Sequence, residues 1–429
     1  MISPVNSLLL IWSLVGSTLA VNSIPYEDEF YDPPEGWENQ PHGAVLKTRF
    51  SAYDLPTAIE NVQDTFQVMY RSVDSWGNDT WGVTTVFIPP SHNLSSCRDD
   101  LENPDISCSH GLVVYQVPYD TINPNSPASY LAQFGESYGD IKFSLGRGWF
   151  VSLTDYEGPL AAFSAGVQAG HSILDSIPAV LEVARAHYGF RGNDTRTAMW
   201  GYSGGGQATG MAAELAAEYA PDLHLAGAVV GGPPPDLRAS LDIVNARETS
   251  GLVIASLIGI TVQRPDVWEG LLSRLKPEGR YNRTGFLTGY RTTGFRALAY
   301  FLDQDVYEYF QNGYDDVWTP DVIEIYEQDG VMGRHGTPNM PVFVYLAVND
   351  GFFKITDADA LVAKYCDEGA NILYHRNIVG HHKNELTNGR QRALNYLGYV
   401  LDGEKEIEVP PTGCLWRDVS EWVDPDSIH

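Results

Sequence analysis

The stretch Gly-Tyr-Ser-Gly-Gly at residues 201–205 lies between an apolar segment, 197–200, and a helix-forming segment, 207–219. In a Gly-x-Ser-x-Gly motif the chain turns so sharply from strand to helix that the serine backbone is strained and its neighbours must be glycines. The serine hydroxyl then stands at the helix N-terminus, where backbone N–H groups can stabilise an oxyanion. The motif therefore predicts Ser203 as a nucleophile on a strand-turn-helix unit. The alternative is a glycine-rich turn without chemistry.

Strands and helices alternate on both sides of this turn. Two runs with alternating apolar residues, 66–73 and 81–88, flank a polar turn at 75–78 and predict a β-hairpin. Further predicted strands are 112–115, 149–154, 197–200, 225–230, 342–348 and 371–376, and the predicted helices are 166–188, 207–219, 357–368 and a last one that starts near Asn388. This order predicts an α/β fold with a mostly parallel sheet that helices cover on both faces.

The alternation is interrupted once, for about a hundred residues. The interval, 233–339, contains an apolar run at 252–262 and an aromatic-rich run at 300–314. Because a structureless loop of that length is implausible inside a compact domain, we predict an inserted, largely helical cap or lid above the active site. The catalytic domain would then comprise residues 21–232 and 340–429.

A nucleophilic serine needs a histidine base and a carboxylate that orients the histidine. Asp350 follows a predicted strand directly, at the edge where open α/β sheets place their sites, and His381 and His382 come later in the chain. This is the order Ser, Asp, His that α/β-hydrolases use. Asp350 could instead be a turn or helix-capping residue, and the histidine pair could be a metal site. Adjacent histidines cannot easily bind one ion, and no third ligand lies nearby in sequence. We therefore predict neither a metal nor an organic cofactor.

The first 20 residues predict a secretory signal peptide. An apolar run at 8–19 ends in the small-x-small pattern of residues 18–20, which is typical of a cleavage site. A single membrane-anchor helix is the alternative, although no later run is long and apolar enough to span a bilayer. Asn-x-Ser/Thr sequons agree with secretion and predict glycosylation at Asn78, Asn93, Asn193 and Asn282.

Four cysteines fit an extracellular protein as well. Proximity in sequence favours a disulfide between Cys97 and Cys108. The remaining pair, Cys366 and Cys414, would then fasten the C-terminal tail to the core. The alternative is that one or more of the four is a free buried thiol.

The charge of the chain limits its partners. It carries 27 Lys and Arg against 55 Asp and Glu, a formal net charge of -28. A surface this acidic repels nucleic acid and anionic membranes. We therefore expect no nucleic-acid partner and no stable membrane anchor. Together with the predicted signal peptide, this leads us to expect a secreted, extracellular protein, and we expect it to be a monomer.

Several motifs together resemble those of the fungal secretory lipases, α/β-hydrolases with an inserted lid. The resemblance runs nearly end to end and is carried by Val-Tyr-Gln-Val-Pro-Tyr-Asp-Thr at 114–121, Asp-Tyr-Glu-Gly at 155–158, the turn at 201–205, Asn349 with Asp350, and the histidine loop leading to Leu397. It implies that the Tyr-Gln-x-x-Tyr-Asp motif places Asp120 beside the nucleophile, where it forms the oxyanion hole with the N–H of Gly204. Because an ionised carboxylate would repel an oxyanion, Asp120 could act only through its backbone N–H or as a protonated acid. A simple turn residue is the alternative.

The resemblance leaves two histidines open as the base. His381 fits a Gly-His pattern and His382 fits a His-x-x-Glu spacing, and we favour His382 with His381 as the alternate. The hypothesis is a secreted carboxylic-ester hydrolase in which Ser203 attacks, His382 transfers the proton and Asp350 orients the base. The resemblance and the apolar part of the insertion favour a triacylglycerol lipase that acts on lipid esters, with a lipid-water interface as one setting. A short-chain esterase, an acyltransferase and a secreted serine peptidase are the alternatives.

Overall fold

A mixed sheet forms the centre of the molecule, which a computed structural model describes at residues 24–50, 59–90, 111–134, 139–190, 195–291 and 299–424. Within those residues the strands are β1 Val45–Phe50, β2 Asp64–Val73, β3 Asp79–Ile88, β4 Gly111–Gln116, β5 Phe150–Thr154, β6 Arg196–Tyr202, β7 Leu225–Gly231, β8 Val342–Ala347, β9 Ile372–Asn377 and β10 Cys414–Val419. Their order across the sheet is β1-β2-β3-β5-β4-β6-β7-β8-β9-β10. The pairings of β1, β2, β3 and β5 are antiparallel, and all pairings from β5 to β10 are parallel. The predicted hairpin and the mostly parallel sheet are confirmed.

Helices connect the parallel strands. In the described residues the α-helices are α1 Ala128–Leu131, α2 Gly139–Gly146, α3 Gly166–Tyr188, α4 Gly204–Tyr219, α5 Leu237–Val244, α6 Gly251–Thr261, α7 Pro265–Arg274, α8 Arg283–Phe286, α9 Tyr314–Val317, α10 Pro320–Asp329, α11 Ile355–Asp367, α12 His382–Asn388 and α13 Arg390–Asp402. Short 3-10 helices occur at Pro25–Glu27, Glu29–Tyr31, Trp37–Asn39, Ala132–Phe134, Leu287–Arg291 and Val306–Tyr309. None of the helices in these ranges is long and apolar enough to cross a membrane.

The helices lie in layers on the two faces of the sheet. One core joins the strands to α3, α4 and α11 and includes Val114 and Met199. The other joins them to α2 and α13 and includes Val113 and Trp200. Neighbouring residues of β4 and β6 thus enter opposite cores, because successive side chains of a strand point to opposite faces. Both faces of the inner strands are buried, which is why these strands read as continuous apolar runs.

The chain between β7 and β8 forms an apolar core of its own. This core contains residues from α5, α6, α7 and α10, and it is joined by Ile122 from the loop after β4. Helix α6 is buried along almost its whole length, so the apolar run at 252–262 packs inside the protein. The segment therefore has the helical character expected of a cap. Its boundaries at 233–339 remain our proposal.

Several elements differ from the sequence prediction, which placed no helix at α1 or α2, between β4 and β5. The edge strands β1 and β10 were not predicted, because their side chains are mostly half-buried or exposed and the apolar signal of an inner strand is missing. The last helix is two helices, α12 and α13, with Gly389 between them. A Cβ on Gly389 would lie 2.2 Å from the ring of Tyr345, so a close approach fixes the chain there. The first of these helices, α12, begins at His382 rather than near Asn388, and His381 is its N-cap.

A disulfide joins Cys366, at the end of α11, to Cys414 at the start of β10. Because β10 is an edge strand that pairs in parallel with β9, this bond fastens the C-terminal segment to the sheet. Some of the predicted features of a secreted protein lie outside the described residues. These are the signal peptide at 1–20, the cysteine pair Cys97 and Cys108, and the sequons at Asn93 and Asn193.

Candidate active site

The turn at 201–205 has the strained geometry that its motif requires. Ser203 sits between β6 and α4 with φ 57° and ψ -123°, a conformation that L-residues rarely adopt. A Cβ on Gly201 would lie 2.1 Å from the carbonyl oxygen of Gly205, and one on Gly205 would lie 1.9 Å from the carbonyl oxygen of Gln116. Both positions therefore need glycine, and Ser203 is fixed at the N-terminus of α4.

Three side chains from distant parts of the chain meet beside this turn. The Oγ of Ser203 is 2.8 Å from Nε2 of His382, and Nδ1 of His382 is 2.7 Å from Oδ2 of Asp350. Asp350 also accepts a hydrogen bond from the N–H of Phe352 at 3.1 Å. His382 and Asp350 are only 6% and 3% exposed, so water does not compete freely for their contact. The arrangement is a serine hydroxyl, an imidazole and a carboxyl group in one hydrogen-bonded chain.

His381 lies elsewhere. Its Nδ1 is 2.7 Å from the carbonyl oxygen of Asn349, and its side chain is exposed. It stands as the N-cap of α12, where its N–H donates to the side chain of Asn384 at 3.1 Å. The start of α12 thus turns the two adjacent histidines in different directions, and only His382 contacts Ser203.

Two aromatic residues that the sequence analysis did not single out surround His382. The ring of Phe352 stacks on the imidazole with centroids 4.3 Å apart. The hydroxyl of Tyr202 donates to the main-chain carbonyl oxygen of His382 at 2.6 Å. In the sequence only their positions could have indicated them, since Phe352 follows Asp350 closely and Tyr202 directly precedes Ser203.

Asp120 lies beside the N-terminus of α4. A Cβ on Gly204 would be 2.6 Å from Oδ1 of Asp120, so this carboxyl lies close to the backbone that follows Ser203. Asp120 has a left-handed φ of 42°, and its Oδ1 is buried without a hydrogen-bond partner among the described residues. Burial raises the pKa of Asp120 to about 6, against a lowering effect of His382. The carboxyl is therefore protonated in mildly acidic solution.

The Asp-Tyr-Glu-Gly motif at 155–158 supports the loop that carries Asp120. The Tyr156 hydroxyl donates to the carbonyl oxygen of Val117 at 2.9 Å, and the N–H of Glu157 donates to the hydroxyl of Tyr119 at 2.8 Å. Burial, followed by the nearby Asp120 carboxyl, raises the pKa of Glu157 well above its ordinary value. The motif thus holds the loop through neutral hydrogen bonds rather than through an ion pair.

A small cavity of about 50 Å³ opens next to Ser203. Its wall is mainly apolar on the side of the insertion, where α5 contributes Leu237, Leu241 and Val244 beside Ser240. Phe163 and Phe352 close it from the other part of the molecule. An apolar group attached to a carbonyl at Ser203 would therefore contact the helices between β7 and β8.

The remaining predicted positions lie away from this cavity. Asn78 is exposed, and its side-chain amide donates to Asp74 at 2.9 Å. Asn282 caps α8, with its Oδ1 accepting from the N–H of Gly285 at 2.9 Å. In the described ranges no group of three or more His, Cys, Asp or Glu side chains is arranged to hold a metal ion.

Comparisons with known proteins agree with this architecture. The secretory lipase family model matches residues 136–408. The chain is 38% identical to a trichothecene C-3 esterase of Fusarium sporotrichioides, over 97% of this chain and 93% of that protein. It is 32% identical to lipase A of Arthroderma benhamiae, over 88% of this chain and 80% of that protein. The fold is that of Candida antarctica lipase A, with a TM-score of 0.78 at 24% identity over 94% and 91% of the two chains.

The match to the family model covers more than half of the chain, and the curated relatives align along almost all of it. The expected resemblance and the expected fold are both confirmed. The chain therefore belongs to the secretory lipase family, and it is a carboxylic-ester hydrolase with the α/β-hydrolase fold.

Proposed function

We propose that the chain hydrolyses carboxylic esters through an acyl-enzyme on Ser203, with His382 as base and Asp350 as its orienting carboxylate. One observation carries the proposal, the continuous hydrogen-bonded chain from Asp350 through His382 to Ser203. His382 takes the hydroxyl proton as Ser203 attacks the ester carbonyl, then gives it to the departing alcohol. In the second half of the reaction, His382 takes a proton from a water molecule that attacks the acyl carbonyl. It then gives that proton to Oγ of Ser203 as the bond between Oγ and the acyl group breaks and the carboxylic acid leaves.

The oxyanion of the tetrahedral intermediate would be held by the N–H of Gly204 and by the protonated carboxyl of Asp120. Two observations support this pairing: Asp120 and Gly204 line the same cavity beside Ser203, and a Cβ built on Gly204 would lie 2.6 Å from Oδ1 of Asp120. The unpartnered Oδ1 supports it as well. A developing negative charge nearby raises the pKa of Asp120 further, so the proton stays on Asp120 during the reaction.

The candidate substrate is a lipid ester, of which a triacylglycerol is the leading example. The apolar side chains of α5 support it, since they offer an acyl chain a surface from which water is excluded. The relatives named lipases support it too.

A second candidate is an ester of a short-chain acid. The size of the cavity favours it, because about 50 Å³ holds only a few water molecules and a long acyl chain would require α5 and α6 to move. A relative named a trichothecene C-3 esterase, and not a lipase, is compatible with this candidate.

Rates on a series of triacylglycerols from tributyrin to triolein, given as emulsions, separate these candidates. A lipase keeps its rate on the long chains, and a short-chain esterase loses it beyond the first members. No turnover of any ester would refute both. Leu241→Ala enlarges the cavity and should shift the preference toward longer chains, whereas Leu302→Ala, at a residue 52% exposed, should not.

We also propose that the protein acts outside the cell as a monomer. Membership of a secretory family supports the location, and the disulfide between Cys366 and Cys414 fits an oxidising compartment. Activity in the culture medium of the producing cells, at the mass of one chain by light scattering, is the expected result. Activity confined to the cell pellet would contradict it.

A further inference from the structure

Tyr202 is the variable position of the Gly-x-Ser-x-Gly motif, and the proposed mechanism assigns it no role. Its side chain is 2% exposed and packs beside the base, with its ring centroid 5.2 Å from the imidazole of His382. Its hydroxyl donates to the main-chain carbonyl oxygen of His382 at 2.6 Å, across 180 residues of sequence. The residue before the nucleophile is therefore bonded directly to the backbone of the base.

The main chain of His382 is held at its other end too. Its N–H donates to the main-chain carbonyl oxygen of Asp350 at 3.0 Å, parallel to the side-chain bond between the same two residues. The backbone of the base is thus bonded to Asp350 on one side and to the neighbour of Ser203 on the other. These two bonds connect the ends of β6 and β8 to the start of α12.

The ring of Tyr202 has little freedom to leave this position. A Cβ on Gly231 would lie 2.5 Å from the ring and one on Gly232 would lie 2.9 Å from it, so two glycines give the ring its space. The Tyr345 ring packs against it at 5.8 Å. Burial and the neighbouring Asp350 raise the pKa of Tyr202 well above its ordinary value, so the hydroxyl keeps its proton and remains a donor.

We propose that Tyr202 is a positioning residue that fixes the main chain of His382 at the distance from Ser203 that proton transfer requires. The inference rests on the proposed roles of Ser203 and His382. Tyr202 does not line the cavity beside Ser203, and its hydroxyl bonds to the main chain of His382 and not to the imidazole nitrogens. Tyr202 would therefore affect the reaction only by positioning His382. A small displacement of a catalytic group lowers the rate of the chemical step more than it lowers substrate binding.

Tyr202→Phe removes the hydroxyl and keeps the ring. We expect kcat, counted per site titrated with a fluorophosphonate, to fall about three- to tenfold with KM unchanged. The far-downfield proton resonance of the bond between His382 and Asp350 should shift or broaden. Counting per titrated site removes any effect of a misfolded fraction, since only folded sites react.

Tyr345→Phe is the matched control. It removes a neighbouring buried hydroxyl, which accepts from Trp200 at 3.3 Å and contacts no member of the Ser203, His382 and Asp350 chain. Its kcat per site and its downfield resonance should match those of wild type. Equal values of kcat per site for Tyr202→Phe and wild type would overturn the inference about Tyr202 and leave the proposed function standing. A wild-type protein that the fluorophosphonate does not label at Ser203 would instead overturn the proposed function.

Discussion

The carboxyl of Asp120 can be removed or neutralised by single substitutions. Asp120→Ala leaves the N–H of Gly204 as the remaining proposed donor to the oxyanion. Loss of one such donor lowers kcat by about 10²- to 10³-fold in serine hydrolases, so we expect a loss in that range with KM little changed. A small effect on KM follows because the oxyanion forms only after attack, so the bound ester gains little from this contact.

The pH dependence of Asp120 sharpens the prediction. Burial raises the pKa of Asp120 to about 6, so the carboxyl is a donor below that pH and an ionised, repelling group above it. Therefore kcat/KM should fall as the pH rises through about 6. Asp120→Asn carries a neutral donor at every pH. The ratio of its kcat/KM to that of wild type should rise about tenfold between about pH 5 and about pH 7.

The assay is hydrolysis of p-nitrophenyl butyrate, stopped at intervals and quantified by chromatography so that the ionisation of the product does not matter. Asp329→Asn serves as control, because burial also raises the pKa of that carboxyl, to about 7, although it does not line the cavity. The ratio of kcat/KM for Asp329→Asn to that for wild type should not change with pH. The reasoning is refuted if Asp120→Ala stays within twofold of wild type, or if Asp120→Asn keeps the wild-type fall in kcat/KM.

Three further predictions concern stability. Gly205→Ala should lower the free energy of unfolding in urea by at least about 2 kcal/mol, because its Cβ would overlap a backbone carbonyl; a variant as stable as wild type would contradict the geometry of the turn. Burial raises the pKa of Asp155 and of Asp329 to about 7. The contribution of these two carboxyl groups to folding stability is full below about pH 4 and is lost as the pH rises through about 7. Tm should therefore be higher at about pH 5 than at about pH 7.5, and the opposite order would contradict this prediction. Replacing Cys366 and Cys414 by serine opens a loop with a sequence separation of 48 and should cost about 4 kcal/mol in urea unfolding, a loss under about 1 kcal/mol being incompatible with that loop.

The elements that the sequence predicted well are those with local signals. The turn at 201–205 was identifiable because its glycines are required by contacts within the turn itself and with β4. Asp350 was identifiable because it comes in the short turn after the buried strand β8, which ends at Ala347. Inner strands such as β4 and β6 carry continuous apolar runs because helices cover both of their faces.

Other features depend on contacts between distant residues and could not be predicted in the same way. His381 and His382 are neighbours, and the choice between them depends on how the start of α12 is oriented against Asp350 and Asn349. The burial of Asp120 depends on Gly204 and on the 155–158 motif folding over the loop. The edge strand β10 has only half-buried and exposed side chains, so it lacks the continuous apolar run by which the inner strands are recognised.

Covalent labelling by a fluorophosphonate, located by mass spectrometry, tests the central claim most directly. The account predicts one adduct, on Ser203, with a labelling rate that falls by orders of magnitude in His382→Ala and is nearly unchanged in His381→Ala. An adduct on another residue, or a labelling rate that depends on His381 instead of His382, would contradict it.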